Sequence, residues 1–119
     1  MHELSVCQAL VRQLDELAER EDAQRITRVL LRIGPLSGVV PELLVHAFPL
    51  AAAGTCAQDA RIDVEDAPVR VRCTACGEET DASASRLVCG ACGDYRTRLA
   101  AGDELLLARV ELDRVGVPA

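Results

Sequence analysis

Two short runs constrain this chain more than anything else in it: Cys73-Thr74-Ala75-Cys76-Gly77 and Cys89-Gly90-Ala91-Cys92-Gly93, with twelve residues between Cys76 and Cys89. Two residues between thiols let one tight turn aim both sulfurs at a single point, and a Gly after the second Cys permits positive φ there. Two such turns facing each other supply four thiolates in a tetrahedron, the closed arrangement that Zn²⁺ prefers. Iron is the main rival for a four-thiolate site. Two disulfides or four buried thiols are the plainer alternative. Chance rarely repeats a knuckle at this distance, however, and Cys-x-x-Cys pairs in an unsecreted protein favour metal. Knuckles of this kind serve many functions, so they point to a metal and not yet to a role.

Composition narrows the classes. With 119 residues, half of them apolar, the chain suits one domain or a small core plus a metal-held module. There is no Trp, one Phe (Phe48) and one Tyr (Tyr95), so the core must be aliphatic. No apolar run approaches the roughly 20 residues of a membrane helix and no signal peptide opens the chain, so a cytoplasmic protein without membrane contact is expected. The formal net charge is -6. Within residues 69–98 five Arg face four acids. A nucleic-acid zinc module would usually show a basic stripe with stacking aromatics. Nucleic acid is therefore not an expected partner.

Taken in order, Leu4, Cys7, Val11, Leu14 and Ala18 step by three and four, with Leu10 and Leu17 widening the stripe. This is an amphipathic helix ending near Arg20. Ser5 and Gln8 have capping-box spacing, which predicts a regular start at about Ser5. Glu21 to Gln24 reads as a polar connection. Arg25 to Ile33 then alternates as a half-buried strand, with Thr27, Val29, Leu31 and Ile33 on one face, closed by Gly34-Pro35. Ser37-Gly38 turns the chain and Pro41 suits the first turn of a second helix. Its expected buried stripe is Leu43, Leu44, Ala47, Phe48 and Ala51, with Gly54 as the stop. Pro49 lies inside it and should kink or split it. Ala60–Glu65 is a short strand, and Val69, Val71 and Cys73 alternate into the first knuckle. Glu104–Leu112 should be the longest strand, with Leu106, Ala108, Val110 and Leu112 on one face. The expected fold class is α+β: two helices on one face of a small three-stranded sheet, with an inserted zinc-knuckle module of four cysteine ligands before the last strand.

Catalytic constellations are absent from the pattern: there is no nucleophile elbow, phosphate-binding Gly loop or carboxylate pair, so no enzyme is expected. Two symmetric Cys pairs suit a closed metal site better than a redox centre. His46, near the edge of the second helix stripe, reads as a boundary residue, and Cys7 and Cys56 as small buried hydrophobes. His2 differs because of its neighbours. A free Met1 α-amine, the His2 amide nitrogen and the imidazole Nδ1 can close two fused chelate rings, with the Glu3 amide nitrogen or carboxylate in a fourth position. Such a nitrogen-rich, square-planar set suits Ni²⁺ or Cu²⁺. By itself, a His at position 2 is more often part of a disordered terminus.

Met1-His2-Glu3-Leu4-Ser5, Arg28–Val39 (with Ile33-Gly34-Pro35-Leu36-Ser37-Gly38), Pro41-Glu42-Leu43-Leu44, Ala47-Phe48, the two knuckles and Gly102-Asp103-Glu104-Leu105 stand in one order along nearly the whole chain. Together they resemble the HypA/HybF family of hydrogenase nickel-incorporation proteins. The resemblance implies an α+β nickel-binding domain (residues 1–68 with 101–119) using Met1, His2 and Glu3. It also implies a structural zinc domain (residues 69–100) on Cys73, Cys76, Cys89 and Cys92. As a function it implies a metallochaperone that delivers Ni(II) to the [NiFe]-hydrogenase large subunit with the GTPase HypB; some relatives also serve urease maturation. Three departures stand out: Pro49 where an acid is common, Gly90 in place of the usual Pro of the second knuckle, and no His beside the cysteines. The last removes any nickel ligand from a zinc-domain histidine. The competing readings are a zinc-stabilised scaffold or nucleic-acid adaptor without nickel transfer, and a rubredoxin-like iron carrier.

Overall fold

The computed structural model describes residues 2–114. Its elements run α1 (Glu3–Arg20), β1 (Ala23–Ile33), α2 (Pro41–Ala52), β2 (Arg61–Asp66), β3 (Arg70–Cys73), β4 (Glu79–Asp81), β5 (Thr97–Ala101) and β6 (Leu105–Arg114). The α+β class and the order helix, strand, helix, strand, metal module, strand hold. Contacts divide the chain into two compact units, residues 1–31, 39–64 and 107–119 in one and residues 32–38 and 65–106 in the other.

In the first unit α1 turns its apolar stripe inward: Cys7, Leu10, Val11, Leu14 and Ala18 are buried. They meet Leu44, Phe48 and Ala52 of α2 and Ile26, Val29 and Leu31 of β1, an aliphatic core with one aromatic. The Cys7 thiol donates to the Leu44 carbonyl at 3.3 Å and ties the helices together. Helix α2 begins with Pro at its first turn, as expected, and runs through Pro49 to Ala52 as one element rather than splitting. Gly54, at φ +77°, follows its end. Leu43, expected in the stripe, is exposed, because the helix turns Leu44 and Phe48 to the core instead.

The main sheet has the order β2-β1-β6. Arg28 pairs with Asp63 and Arg32 with Glu65, advancing along both strands together, so β1 and β2 run parallel. A parallel pair needs a crossover, and α2 supplies it. β6 runs the other way: Thr27 meets the Glu111 carbonyl, while Gly34 donates to the Glu104 carbonyl. These ion pairs occupy the face away from Val29 and Leu31, so the core lies on one side only.

Several local expectations are corrected. Helix α1 starts at Glu3, not Ser5; the Val6 amide already donates to the His2 carbonyl, and the capping box is not formed. Asp22, at φ +52°, turns the chain so tightly that β1 starts at Ala23. In β1 the buried phase slips: Ile26 is buried and Thr27 only half-buried. Near this point the Ile26 amide bonds the Cys56 carbonyl, and Thr27 Oγ1 is drawn to the Glu111 carbonyl. β1, with 11 residues, is longer than β6, with 10. Of the expected inner row of β6, Val110 and Leu112 are half-buried, while Leu106 and Ala108 are exposed.

The second unit contains a sheet that the sequence did not suggest, β4-β3-β5. β3 pairs antiparallel with both neighbours, setting Arg70 opposite Asp81 and Arg72 opposite Glu79. The cross-strand pairs close as ion pairs at 2.6 and 3.3 Å. Opposite charges facing each other on paired strands favour this register. Val69, Val71 and Cys73 are buried, keeping the expected alternation. In the same unit two backbone segments touch. Gly34 donates to Glu104 at 2.8 Å and Leu36 to Gly102 at 2.7 Å. A Cβ on Gly34 would overlap the Gly102 carbonyl, and Gly102 itself has φ +127°. The obstacle at Gly34 is backbone, which cannot swing aside. Gly34→Ala is therefore expected to destabilise the fold by about 1–3 kcal/mol in urea unfolding, toward the upper end of overpacking costs. An unchanged midpoint would mean that the two backbones do not meet.

Candidate metal centres

Each knuckle is built by the same local bonds. The amides of Ala75 and Cys76 donate to Cys73 Sγ at 3.3 and 3.4 Å. Those of Ala91 and Cys92 donate to Cys89 Sγ at 3.3 and 3.4 Å. Gly77 donates back to the Cys73 carbonyl and Gly93 to the Cys89 carbonyl. Both glycines have positive φ, +78° and +77°, which their place in the turn requires. The Cys73 amide then donates to the Glu78 carbonyl, and the Cys89 amide to that of Asp94, at 2.9 Å in both cases.

The two turns face each other. Cys73 Sγ lies 3.6 Å from Cys92 Sγ and Cys76 Sγ 3.6 Å from Cys89 Sγ. All four sulfurs lie within 4.8 Å of one another. A disulfide would need about 2.0 Å. Sulfurs at about 2.3 Å from a tetrahedral Zn²⁺ lie roughly 3.8 Å apart. The cluster therefore fits an ion of that kind and size. Its electrostatics also fit. The Cys76 amide holds the Cys73 thiol below its ordinary range, and the Cys92 and Ala91 amides bring Cys89 down to about 6. The Glu78 amide draws Cys76 down, but burial and the neighbouring sulfurs outweigh it and push the thiol up to about 12. Two sulfurs thus ionise readily and the others release their protons to an entering cation.

Gly90 has a specific use. Its amide donates to Thr80 Oγ1 on β4 at 2.8 Å, latching the second knuckle to the sheet. A Cβ at Gly90 would approach Thr80 Cβ to 3.2 Å. No local signal in the sequence pairs these two residues.

At the other site, His2 is the N-cap of α1 with helical backbone angles and no side-chain cap bond. Its side chain is 54% exposed, with Nε2 3.9 Å from Glu3 Oε2. Glu3 is 5% exposed. Its Oε2 accepts the amide of Val40, the N-cap residue of α2, at 3.3 Å. A carboxylate at a helix N-terminus is stabilised by the helix dipole. Met1 lies outside the described residues. His46 is exposed on α2. Cys56 donates to Asp15 Oδ1 at 2.8 Å, and burial followed by that carboxylate pushes the thiol up to about 12. With Cys7 buried against Leu44, neither thiol joins a metal cluster among the described residues.

Residues 1–112 match a family model described as hydrogenase/urease nickel incorporation, metallochaperone, hypA. The chain belongs to the HypA family. It is 46% identical over 112 residues to a hydrogenase maturation factor HypA of Nitrosospira multiformis, covering 94% of this chain and 97% of that one. A second HypA relative, from Aquifex aeolicus, is 34% identical over 95% of this chain and 98% of its own. The solution structure of the Ni metallochaperone HypA from Helicobacter pylori superposes with a TM-score of 0.75 at 29% identity, covering 96% of this chain and 99% of that one.

The Thr80–Gly90 bond makes a prediction within this HypA chain. Gly90→Pro removes the donor and Thr80→Val the acceptor, and each should cost about 0.5–1.5 kcal/mol. Both variants should lose bound metal to a chelator faster than the parent, followed by thiol release; equal rates would show that the latch does not hold the knuckle.

Proposed function

We propose that this chain carries Ni²⁺ on its amino-terminal nitrogens and delivers it to the large subunit of a [NiFe]-hydrogenase, acting with the GTPase HypB. The observation that carries this reading is the family match across residues 1–112 to nickel-incorporation metallochaperones. Cys73, Cys76, Cys89 and Cys92 hold a structural Zn²⁺, which supplies cross-linking rather than reactivity. The functional domains are residues 1–68 with 101–119 for nickel and 69–100 for zinc.

The nickel donors are the Met1 α-amine, the His2 amide and imidazole Nδ1, and the Glu3 amide. An α-helix leaves the amides of its first turn out of its own ladder, so coordination there does not compete with helical bonds. The Glu3 carboxylate is engaged with Val40 and anchors the start of α1, so the Glu3 amide is the better fourth donor. The half-exposed imidazole leaves the cargo open to exchange with a recipient's ligands. Square-planar nitrogen ligation favours nickel over tetrahedral zinc.

The protein is then a carrier without catalysis of its own, working in the cytoplasm. No helix among the described residues is long and apolar enough to cross a membrane. Arg70, Arg72 and Arg96 are all ion-paired, which leaves the metal module little free basic surface for nucleic acid. The family description couples hydrogenase with urease, so urease maturation proteins are the further partners to test.

Nickel titration of the untagged, zinc-loaded protein tests the chelate. Protons compete for its nitrogens, with ordinary pKa values of about 7.7–8.0 for an α-amine and about 6.5 for an imidazole, so affinity should fall from pH about 7.5 to about 6. One residue added before Met1 converts the amine to an amide and should abolish tight binding, as should His2→Ala; His46→Ala should not. Unchanged affinity and pH profile in the extended protein would rule the chelate out.

HypB contact is expected on the exposed face of α1, close in sequence to the nickel donors. Charge reversal at Arg12 and Glu16 should weaken HypB binding without changing nickel affinity. If calorimetry shows no loss for either reversal, HypB docks elsewhere.

A further inference from the structure

The four sulfurs of the metal module are not equivalent. Cys73 and Cys89 are each 2% exposed, and each accepts two backbone amides from its own knuckle. Cys76 and Cys92 are exposed. The sulfur contacts run across the two turns: Cys76 Sγ lies 3.6 Å from Cys89 Sγ, and Cys92 Sγ 3.6 Å from Cys73 Sγ. Each contact sets a sulfur that solvent reaches against one that is covered. A redox-sensing thiol beside its resolving thiol has this form.

Four cysteines can pair in three ways. Joining Cys73 to Cys89 links the two covered sulfurs, which an oxidant in solvent does not meet first, and leaves the exposed two to each other. Joining within each knuckle puts no bond between the turns. Joining Cys73 to Cys92 and Cys76 to Cys89 uses both contacts at once and takes over the cross-linking that the ion supplies. These bridges also close longer loops than a bridge inside a knuckle, which removes more freedom from the unfolded chain. A disulfide needs about 2.0 Å, so each pair must close by roughly 1.5 Å. Side-chain rotation covers that distance once no ion holds the sulfurs apart. The Gly90–Thr80 bond keeps the second knuckle on β4 meanwhile.

We propose that the metal module is a peroxide-responsive site, in which oxidation begins at Cys76 and Cys92 and the disulfides Cys76–Cys89 and Cys73–Cys92 replace the ion while the two turns stay together. This rests on the Zn²⁺ reading above. In each half the exposed thiolate attacks a peroxide oxygen. The S–O bond forms as the O–O bond breaks, sulfur is oxidised to sulfenic acid, and the departing hydroxide takes a proton to become water. The covered thiolate then attacks that sulfur. The S–S bond forms, the S–O bond breaks, and hydroxide again leaves and is protonated to water. Each disulfide consumes one peroxide and two protons, and both disulfides together strip Zn²⁺ of its four ligands. Cys7, bonded to the Leu44 carbonyl in the core, and Cys56, bonded to Asp15 Oδ1, take no part.

Treating the untagged, zinc-loaded chain with hydrogen peroxide tests this. A chromogenic chelator should report loss of all bound Zn²⁺ at about two peroxides per ion. Alkylation under denaturing conditions should then find only Cys7 and Cys56 free of the six cysteines. The chain has no lysine, so trypsin cuts after Arg72, Arg86 and Arg96 and separates the two knuckles into two peptides. Cross-knuckle disulfides hold those peptides together until a reductant is added, and fragmentation of the linked pair should place the bonds at Cys73–Cys92 and Cys76–Cys89. The oxidised chain should keep the circular dichroism of the zinc-loaded one, and dithiothreitol with zinc should restore both thiols and metal. Zinc uptake followed by separate peptides, by a Cys73–Cys89 bond, or by zinc retained in excess peroxide overturns this inference alone. So does an oxidised chain that has lost its structure. A chain that takes up no zinc before oxidation overturns the Zn²⁺ reading itself, and this inference with it.

Discussion

Four thiol groups within 4.8 Å of one another make an unfavourable cluster unless a cation joins them, because thiolates repel and thiols are weak hydrogen-bond partners. The second unit is built around that cluster. Its buried apolar side chains are few: Ile33, Ala67, Val69, Val71 and the thiols of Cys73 and Cys89. Burial on that scale stabilises little, and small modules of this kind commonly rely on a metal. The protein prepares the cluster in advance. Four backbone amides aimed at Cys73 and Cys89 favour their thiolates, and two left-handed glycines let each turn close. The β3 strand feeds Cys73 into the first turn, the charge-paired β4 holds Thr80 under Gly90, and β5 completes the sheet. The short strands and the knuckles therefore depend on one another.

The first unit stands on different physics. Its helices and β1 bury a continuous aliphatic core around Phe48, and the Cys7–Leu44 bond adds one polar tie. The one buried charged residue among those described, Glu3, sits where the chain begins. Burying a carboxylate is costly unless it is hydrogen-bonded, and the Val40 amide at the head of α2 meets that need. The consequence reaches toward function. The start of α1 is fastened to the start of α2, so the His2 and Glu3 backbone stands at the head of an anchored helix, while the imidazole itself remains open to solvent.

Much of this was readable from residue order because it is local. The knuckles follow from a Cys-x-x-Cys-Gly run, α1 from steps of three and four, α2 from Pro41, and the turns from Ser37-Gly38 and Gly102-Asp103. What misled was also local. Ser5 and Gln8 have capping-box spacing, but the Glu3–Val40 bond between distant residues carries the helix two residues further. Thr27 continues the alternation of β1 on paper, yet strand pairing sets which residue faces inward, and Ile26 takes that place. Leu43 and Leu106 are apolar in helical or strand rhythm and still exposed, because a period says which residues share a face and not what covers it. β4 is three polar residues with no apolar signal, formed only because β3 offers charged partners in register.

From residue order alone came the α+β class, the succession of elements, the cluster of four thiols that could hold a metal ion and the family resemblance. All of these rest on interactions spanning a few residues or on a motif preserved as a string. Tertiary structure alone decided that Thr80 braces Gly90. It likewise decided that Gly34 must be Gly because Gly102 lies against it, and that the Glu3 carboxylate turns inward to Val40. Each joins residues far apart in the chain, and whether they meet depends on the packing of every element between them.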